Sequence, residues 1–196
     1  IPMRISQREV RAVFSLFGNG SLKTKLMALL VLVSAVAGLF FTGTVGGHGL
    51  IEGRVVGVAD GDTITVLALG NSPEKVRFAF IDAPEKAQPH GQAAKVALSA
   101  RLFGREVKVE VIEKDRYGRN VGRVWVDNVD VNLAQVEDGY AWHYAQYAKK
   151  NQSASDFQAY QQAEHTARQN HLGLWQDASP TAPWDYRQAK RETVGN

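Results

Sequence analysis

The sequence contains no cysteine at any of its 196 positions. This absence excludes disulfide bonds, thiolate metal sites and a cysteine nucleophile. The sequence also lacks the G-x-S-x-G, P-loop and dinucleotide-binding glycine patterns, so the familiar serine-hydrolase and nucleotide-binding motifs are excluded. Its five histidines show no zinc-ligand spacing. Carboxylates and arginines are therefore the main candidates for any catalytic chemistry.

Positive charge is in excess only in the N-terminal segment. The whole chain has a formal net charge of +3, whereas the first 25 residues alone carry +4 and the remainder carries −1. The charged residues of this segment are Arg4, Arg8, Glu9, Arg11, Lys23 and Lys25. Net charge alone therefore does not predict that the main part of the chain binds phosphates.

A 19-residue segment, Leu26–Thr44, has no charged side chain, and the next charge is Glu52. As a helix it would be about 28 Å long, close to the roughly 30 Å hydrocarbon core of a membrane. This length predicts a membrane anchor. Because residues 1–25 are basic, the positive-inside rule predicts that the rest of the chain lies outside the cytoplasm. The A-x-A sequence at 35–37 favours the alternative of secretion after signal cleavage, and a buried soluble helix is a third. Residues 45–52 are predicted to be a flexible linker.

From residue 53 onward, the hydrophobic pattern favours strands first and helices later. Short or alternating apolar segments between turn residues predict five strands, and apolar residues at helical spacing predict three helices. This order predicts an α+β domain over residues 53–176, built on a small closed five-stranded barrel, with residues 177–196 as a C-terminal tail. The predicted strands span 54–59, 63–69, 75–81, 106–113 and 118–127, and the predicted helices span 89–103, 131–139 and 155–170.

The turn Asp60-Gly61-Asp62 separates the first two predicted strands. A hairpin of the second and third strands centred near Ser72 would place Asp62 opposite Asp82. Two converging carboxylates need a cation or a proton between them, and hard oxygen ligands favour Ca²⁺ or Mg²⁺. The alternative interpretation is that Asp60 and Asp62 are solvated turn residues and that Asp82 caps the next segment.

Three motifs occur in one order and spacing: "DGDT" (60–63), "RFAFIDAPE" (77–85) and "DRYGR" (115–119). Together they resemble the staphylococcal nuclease (thermonuclease) family, whose fold is an OB-fold barrel with added helices. The resemblance covers about residues 53–176. The segments "GLW" (173–175) and "PWDYR" (183–187) are also similar to the ends of bacterial members.

The resemblance implies a role for each matching residue. It implies that carboxylates and one backbone carbonyl bind Ca²⁺, with Mg²⁺ as an alternative cation. It also implies that two arginines hold the scissile phosphate and that a glutamate activates the attacking water. The implied metal ligands are Asp62, Asp82 and the backbone carbonyl of Ala83, supported by Asp60; the implied catalytic residues are Arg77, Glu85 and Arg119; and the implied substrate contacts are Tyr117 and Tyr144.

Two features do not follow from the motif pattern. Five residues of flat strand would separate Arg77 from Asp82 by roughly 16 Å and put them on opposite faces, so a bulge or a sharp bend is required. In addition, only the residues "KAQ" lie between Glu85 and Pro89. The family's namesake has a longer, lysine-rich loop there, so this chain offers less positive charge to a substrate.

These observations predict a calcium-dependent nuclease, a phosphodiesterase that hydrolyses DNA, with RNA as a further candidate substrate. By resemblance, cleavage would leave a 3′-phosphate. Two alternatives remain: a non-catalytic OB-fold module that binds single-stranded nucleic acid, and an envelope protein whose barrel binds another ligand. The membrane is a predicted partner through residues 26–44, and the sequence indicates no protein partner.

Overall fold

The computed structural model describes residues 49–194, so the predicted segments 1–25 and 26–44 lie outside the described residues. None of the helices among residues 49–194 combines the length and apolar composition that a membrane crossing requires. The strands are β1 (Leu50–Val58), β2 (Thr63–Ala68), β3 (Ser72–Phe78), β4 (Ile81–Asp82), β5 (Glu106–Lys114), β6 (Asn120–Val126), β7 (Val129–Asp130) and β8 (Trp142–His143). The α-helices are α1 (Gly91–Leu102), α2 (Val131–Glu137), α3 (Ala145–Asn151), α4 (Ala154–Gln169) and α5 (Pro183–Val194), and a 3-10 helix spans Gly173–Gln176.

Five long strands form a closed barrel, as the sequence predicts. The sheet order is β3-β2-β1-β5-β6-β7, and an additional parallel pairing of β3 with β6 closes it. In β5, alternate residues are buried because successive side chains point to opposite faces of the sheet. The inward valines and isoleucines form the core with Phe78 and Tyr160.

A buried asparagine fixes the position of α2 on the barrel. Asn132 donates from Nδ2 to the carbonyls of Ala79 and Gly122 and accepts from the Val124 amide. Asp130 begins the helix, because its side chain accepts from the backbone amides of residues 132 and 133. These bonds satisfy backbone groups in the middle of β6 and in the segment that follows β3.

The structure differs from the sequence prediction at the β2–β3 hairpin and in the number of helices. Ala68 pairs with Ser72 and Thr63 with Arg77, so the hairpin is centred near residue 70 and the predicted centre near Ser72 is wrong. Helices α3 and α5 were not predicted, and α5 lies in the predicted tail. β1 begins at Leu50, inside the predicted linker, because residues 50–52 pair with β5.

Candidate active site

The Asp60-Gly61-Asp62 turn is packed against the protein interior. A Cβ at Gly61 would lie 2.7 Å from the methyl carbons of both Ala83 and Ala94, so only glycine fits there. The buried Gln135 side chain donates to the Gly61 carbonyl at 2.9 Å. The Asp62 amide donates to Oδ1 of Asp60 at 3.1 Å. The turn therefore points Asp62 into the protein, where it is 5% exposed.

Asp82 reaches Asp62 through a bend and not through hairpin pairing. In the register of the structure, Asp62 lies opposite Phe78, whose amide donates to the Asp62 carbonyl. The chain then bends at Phe80, which has a φ of 68°, and resumes as β4. After this bend the Ala83 amide donates to Oδ2 of Asp62 at 2.6 Å. Asp82 is 1% exposed, so two buried carboxylates meet at this point.

Arg77 bridges the two carboxylates. Its Nη1 lies 2.9 Å from Oδ2 of Asp62, and its Nη2 lies 2.7 Å from Oδ1 of Asp82. Nη1 also donates to the carbonyls of Phe78 and Ile81, on either side of the bend. The bend thus removes the separation that a flat strand would impose between Arg77 and Asp82.

The electrostatics of this cluster favour a further cation. Burial raises the pKa of Asp62 to about 8; Arg77 opposes the shift, and the nearby carboxylates of Asp60 and Asp82 add to it. Even when Arg187 of α5, which pairs with Asp82 and Glu85, is counted with Arg77, two guanidiniums face the four carboxyl groups of Asp60, Asp62, Asp82 and Glu85. Carboxylate and carbonyl oxygens suit Ca²⁺ or Mg²⁺, so the donor set fits such an ion. Within residues 49–194 no three acidic or histidine side chains group as metal ligands, so water and the Ala83 carbonyl would have to complete the shell.

Glu85 lies on the loop between β4 and α1. The Glu85 amide donates to the side chain of Gln88. The Glu85 carbonyl oxygen packs against Gly91, where an added Cβ would lie only 1.9 Å from that oxygen. The Glu85 side chain is 40% exposed, and its Oε1 lies 2.9 Å from Nη1 of Arg187. The backbone of this loop is therefore fixed, while the carboxylate remains open to solvent.

Arg187 is a site residue that the sequence reasoning missed. From α5, its Nη2 lies 2.7 Å from Oδ2 of Asp82 while its Nη1 contacts Oδ1 of Asp82 and Oε1 of Glu85. These carboxylates raise the pKa of Arg187 above its ordinary value, against the effect of burial. The motif "PWDYR" was noted in the sequence, but the pattern gave no reason to place its arginine at the site.

Arg119 and Tyr117 lie at the turn between β5 and β6. Arg119 pairs with Asp115, with Nε and Oδ2 2.7 Å apart, and its guanidinium lies 5.6 Å from the centre of the Tyr117 ring. Partial burial tends to raise the pKa of Asp115, but hydrogen bonds from Arg119 and Tyr117 outweigh this effect and hold that pKa below its ordinary value. The structure thus pairs Arg119 with Asp115 and not with the Asp62–Asp82 cluster.

The pairing of β3 with β6 nevertheless brings Arg119 to the side of the barrel that carries Arg77. Val121 lies opposite Arg77, and residue 119 precedes it by two positions on the same face. On ordinary sheet spacings the Cα atoms of residues 77 and 119 are roughly 8 Å apart.

Tyr144 belongs to an aromatic stack. Its ring stacks on Tyr147, with centroids 6.3 Å apart, and on Trp184 of α5, with centroids 5.3 Å apart. Burial and the Glu113 carboxylate raise the pKa of Tyr147 to about 12, so its hydroxyl stays protonated and donates to Glu113. Through its stacking on Trp184, Tyr144 contacts the C-terminal helix α5.

Comparisons with known proteins identify relatives of this chain. The family model for staphylococcal nuclease homologues matches residues 75–177. The chain is 40% identical over 138 residues to an uncharacterized endonuclease of Haemophilus influenzae, covering 70% of this chain and 74% of that protein. It is 38% identical over 152 residues to a micrococcal nuclease of Shigella flexneri, covering 73% and 84% of the two chains. A third relative, protein ParB of Escherichia coli, is 39% identical over 146 residues, covering 70% and 79%.

The chain therefore belongs to the staphylococcal nuclease family, which confirms the resemblance carried by the three motifs. The closed barrel with several helices fits the α+β fold of that family. Membership and the nuclease relatives support a nuclease function, and hence a hydrolase, for this chain.

Proposed function

We propose that the protein is a metal-dependent phosphodiesterase that hydrolyses DNA, with RNA as a second candidate substrate. The observation that carries the proposal is the meeting of two buried carboxylates, Asp62 and Asp82, around the guanidinium of Arg77. Burying two carboxylates together costs free energy of folding, and such clusters are typical of cation-binding and catalytic sites. Ca²⁺ is the proposed cation, and Mg²⁺ is the alternative.

In this proposal, Asp62, Asp82 and the Ala83 carbonyl hold the cation, and Asp60 supports Asp62 through the turn. The bound cation would neutralise charge that develops on the phosphoryl oxygens. The ligands are preorganised, because Asp62 is fixed by the Ala83 amide and Asp82 is fixed by β4. A preorganised shell loses little energy to rearrangement during the reaction.

Arg77 and Arg119 are proposed to bind the scissile phosphate. A guanidinium remains ionised and presents two parallel donors, which match two phosphate oxygens better than an ammonium group does. Arg77 already lies at the carboxylate cluster. Arg119 would release its ion pair with Asp115 and bind the substrate phosphate instead. Tyr117, which is 69% exposed, would contact the substrate beside Arg119. A substrate contact by Tyr144 stays a prediction.

Glu85 is proposed to accept a proton from the attacking water. Its carboxylate is open to solvent and lies on the loop that follows the metal ligands. A general base must lie within hydrogen-bond reach of the proton that it removes, and a fixed backbone with an open side chain is compatible with that role. The alternative, a non-catalytic module that binds single strands, would not require a glutamate at this position.

The test is the cleavage of single- and double-stranded DNA and RNA with Ca²⁺, Mg²⁺ or chelator. We expect cleavage with Ca²⁺ and none in chelator, and Ca²⁺ should raise the melting temperature. The double variant Asp62→Asn, Asp82→Asn should lose both effects, while the exposed-site variant Asp127→Asn should keep them. Full cleavage by the double variant in chelator would refute the metal assignment. Binding of single strands without cleavage under every cation would favour the binding module.

For location, we propose that residues 26–44 anchor the chain in a membrane with the nuclease domain outside the cytoplasm. The length and apolar character of that segment and the basic residues before it support this proposal. Secretion after signal cleavage is the alternative.

A further inference from the structure

The guanidinium of Arg187 spans two side chains of the proposed active site. It makes two hydrogen bonds to Asp82, at 3.2 and 2.7 Å, and one to Glu85, at 2.9 Å. Asp82 is buried, whereas the side chains of Arg187 and Glu85 are 37% and 40% exposed. Arg187 lies beyond residue 177, where the match to the family model ends. The C-terminal helix thus adds a charged group to a site otherwise assembled from the barrel.

Contacts just before Arg187 in the chain hold α5 against the loop that carries Glu85. The Gln88 side chain donates to the Thr181 carbonyl at 2.6 Å, just before the helix. Within the helix, the Trp184 ring packs on Tyr144 and on Trp142, with centroids 5.3 and 5.7 Å apart. Arg187 follows Trp184 by three residues, nearly one turn, so the docked tryptophan fixes the direction from which the guanidinium enters.

The contact with Arg187 restrains a side chain that its own loop leaves free. An exposed glutamate samples several rotamers, and ordering it costs conformational entropy. A planar guanidinium that is already bound to a buried carboxylate can order a second carboxylate at lower cost, because its own position is set. Bridging from Asp82 to Glu85 therefore fixes the proposed general base relative to the proposed metal ligand.

We propose that Arg187 is a positioning residue for the nuclease reaction, and that α5 is consequently part of the active site. The inference rests on the proposed function, because it acts through Glu85 and Asp82. The segment "KAQ" after Glu85 is short, and the C-terminal helix supplies a positive charge beside it through Arg187.

The experiment compares Arg187→Ala, Arg187→Lys and the matched control Arg191→Ala in the full chain. Arg191 lies one helical turn further along α5 and is exposed, so its variant loses the same charge from the same helix. We expect Arg187→Ala to lower kcat by about 10- to 100-fold, the usual effect of losing an orienting partner, with KM changed by less than about threefold. Arg187→Lys should be intermediate, because an ammonium group cannot bridge both carboxylates in the same way, and Arg191→Ala should match the wild type.

Ca²⁺ binding, measured by calorimetry without substrate, separates positioning from a structural role. Arg187 places a positive charge beside a proposed ligand of the cation, and like charges repel. Its removal should therefore leave Ca²⁺ binding as tight as in the wild type or tighter, while kcat falls. A structural role would weaken Ca²⁺ binding and turnover together. Addition of methylguanidinium should restore part of the kcat of Arg187→Ala.

The outcomes distinguish this inference from the proposed function. If wild-type cleavage requires a divalent cation but Arg187→Ala behaves like Arg191→Ala, the positioning role is refuted. A parallel loss of turnover, Ca²⁺ binding and melting temperature in Arg187→Ala that Arg187→Lys fully restores would also refute it, because Arg187→Lys keeps the charge that a structural ion pair needs. If the wild type shows no dependence on divalent cations, the proposed function fails first.

Discussion

Replacement of Arg77 by alanine tests the arrangement of the carboxylate cluster most directly. The Arg77 side chain is 17% exposed, and its partners Asp62 and Asp82 are 7% and 2% exposed at their side chains. Arg77→Ala removes both ion pairs: Asp62 loses its arginine partner, whereas Asp82 keeps its pair with Arg187. Removal of one partner from a buried pair typically costs about 3–5 kcal/mol, so we expect the free energy of unfolding to fall by about that amount.

The assay is urea unfolding followed by tryptophan fluorescence, in chelator and then in Ca²⁺. The matched control is Arg105→Ala, which breaks the exposed pair with Asp127 and should cost about 0–1 kcal/mol. Ca²⁺ should stabilise Arg77→Ala more than it stabilises the wild type, because the cation would supply the missing positive charge. A loss below about 1 kcal/mol in chelator would show that Arg77 acts as a surface pair, and the account of the cluster would be wrong.

Two further variants test the turn and the second arginine. Gly61→Ala should lower the free energy of unfolding by about 1–3 kcal/mol, because its methyl group would overlap Ala94. The control is Gly57→Ala, measured in the same urea titration. It should lower the free energy of unfolding less, because its methyl group would lie 3.6 Å from the nearest atom. Arg119→Ala should lower single-turnover cleavage by about 100-fold with little loss of oligonucleotide affinity at fixed salt. Arg105→Ala, which removes an exposed arginine paired with Asp127, should cleave at nearly the wild-type rate. Equal rates for the two arginine variants would remove Arg119 from the reaction.

The barrel was predictable from the sequence because its signals are local. β5 alternates apolar and polar residues, and the turn residues between strands mark each boundary. Helix α3 lacked such a signal, since Ala148 is its one buried residue. α5 is predominantly polar, and its place is set by the stacking of Trp184 on Tyr144, which a single sequence does not reveal.

The convergence of Asp62 and Asp82 was predicted, but the reason given for it was wrong. A hairpin centred near Ser72 would pair them, whereas the structure pairs Asp62 with Phe78 and brings Asp82 back through the bend at Phe80. Positive φ at a phenylalanine is rare and has no sequence signature. The same bend places Arg77 beside Asp82, as the sequence required of some bulge or bend, but its position at Phe80 was not predicted.

The parallel pairing of β3 with β6 also has a consequence for folding kinetics. It joins Val76–Phe78 to Asn120–Gly122, segments more than 40 residues apart in the chain. Contacts between distant segments slow folding, and small barrels of this kind fold in milliseconds to seconds. Until the strands meet, β3 and β6 each present an unpaired edge on which chains can aggregate. Arg119 directly precedes β6, so the step that completes the barrel also brings Arg119 to the side that carries Arg77, and a partly folded chain lacks this second proposed phosphate contact.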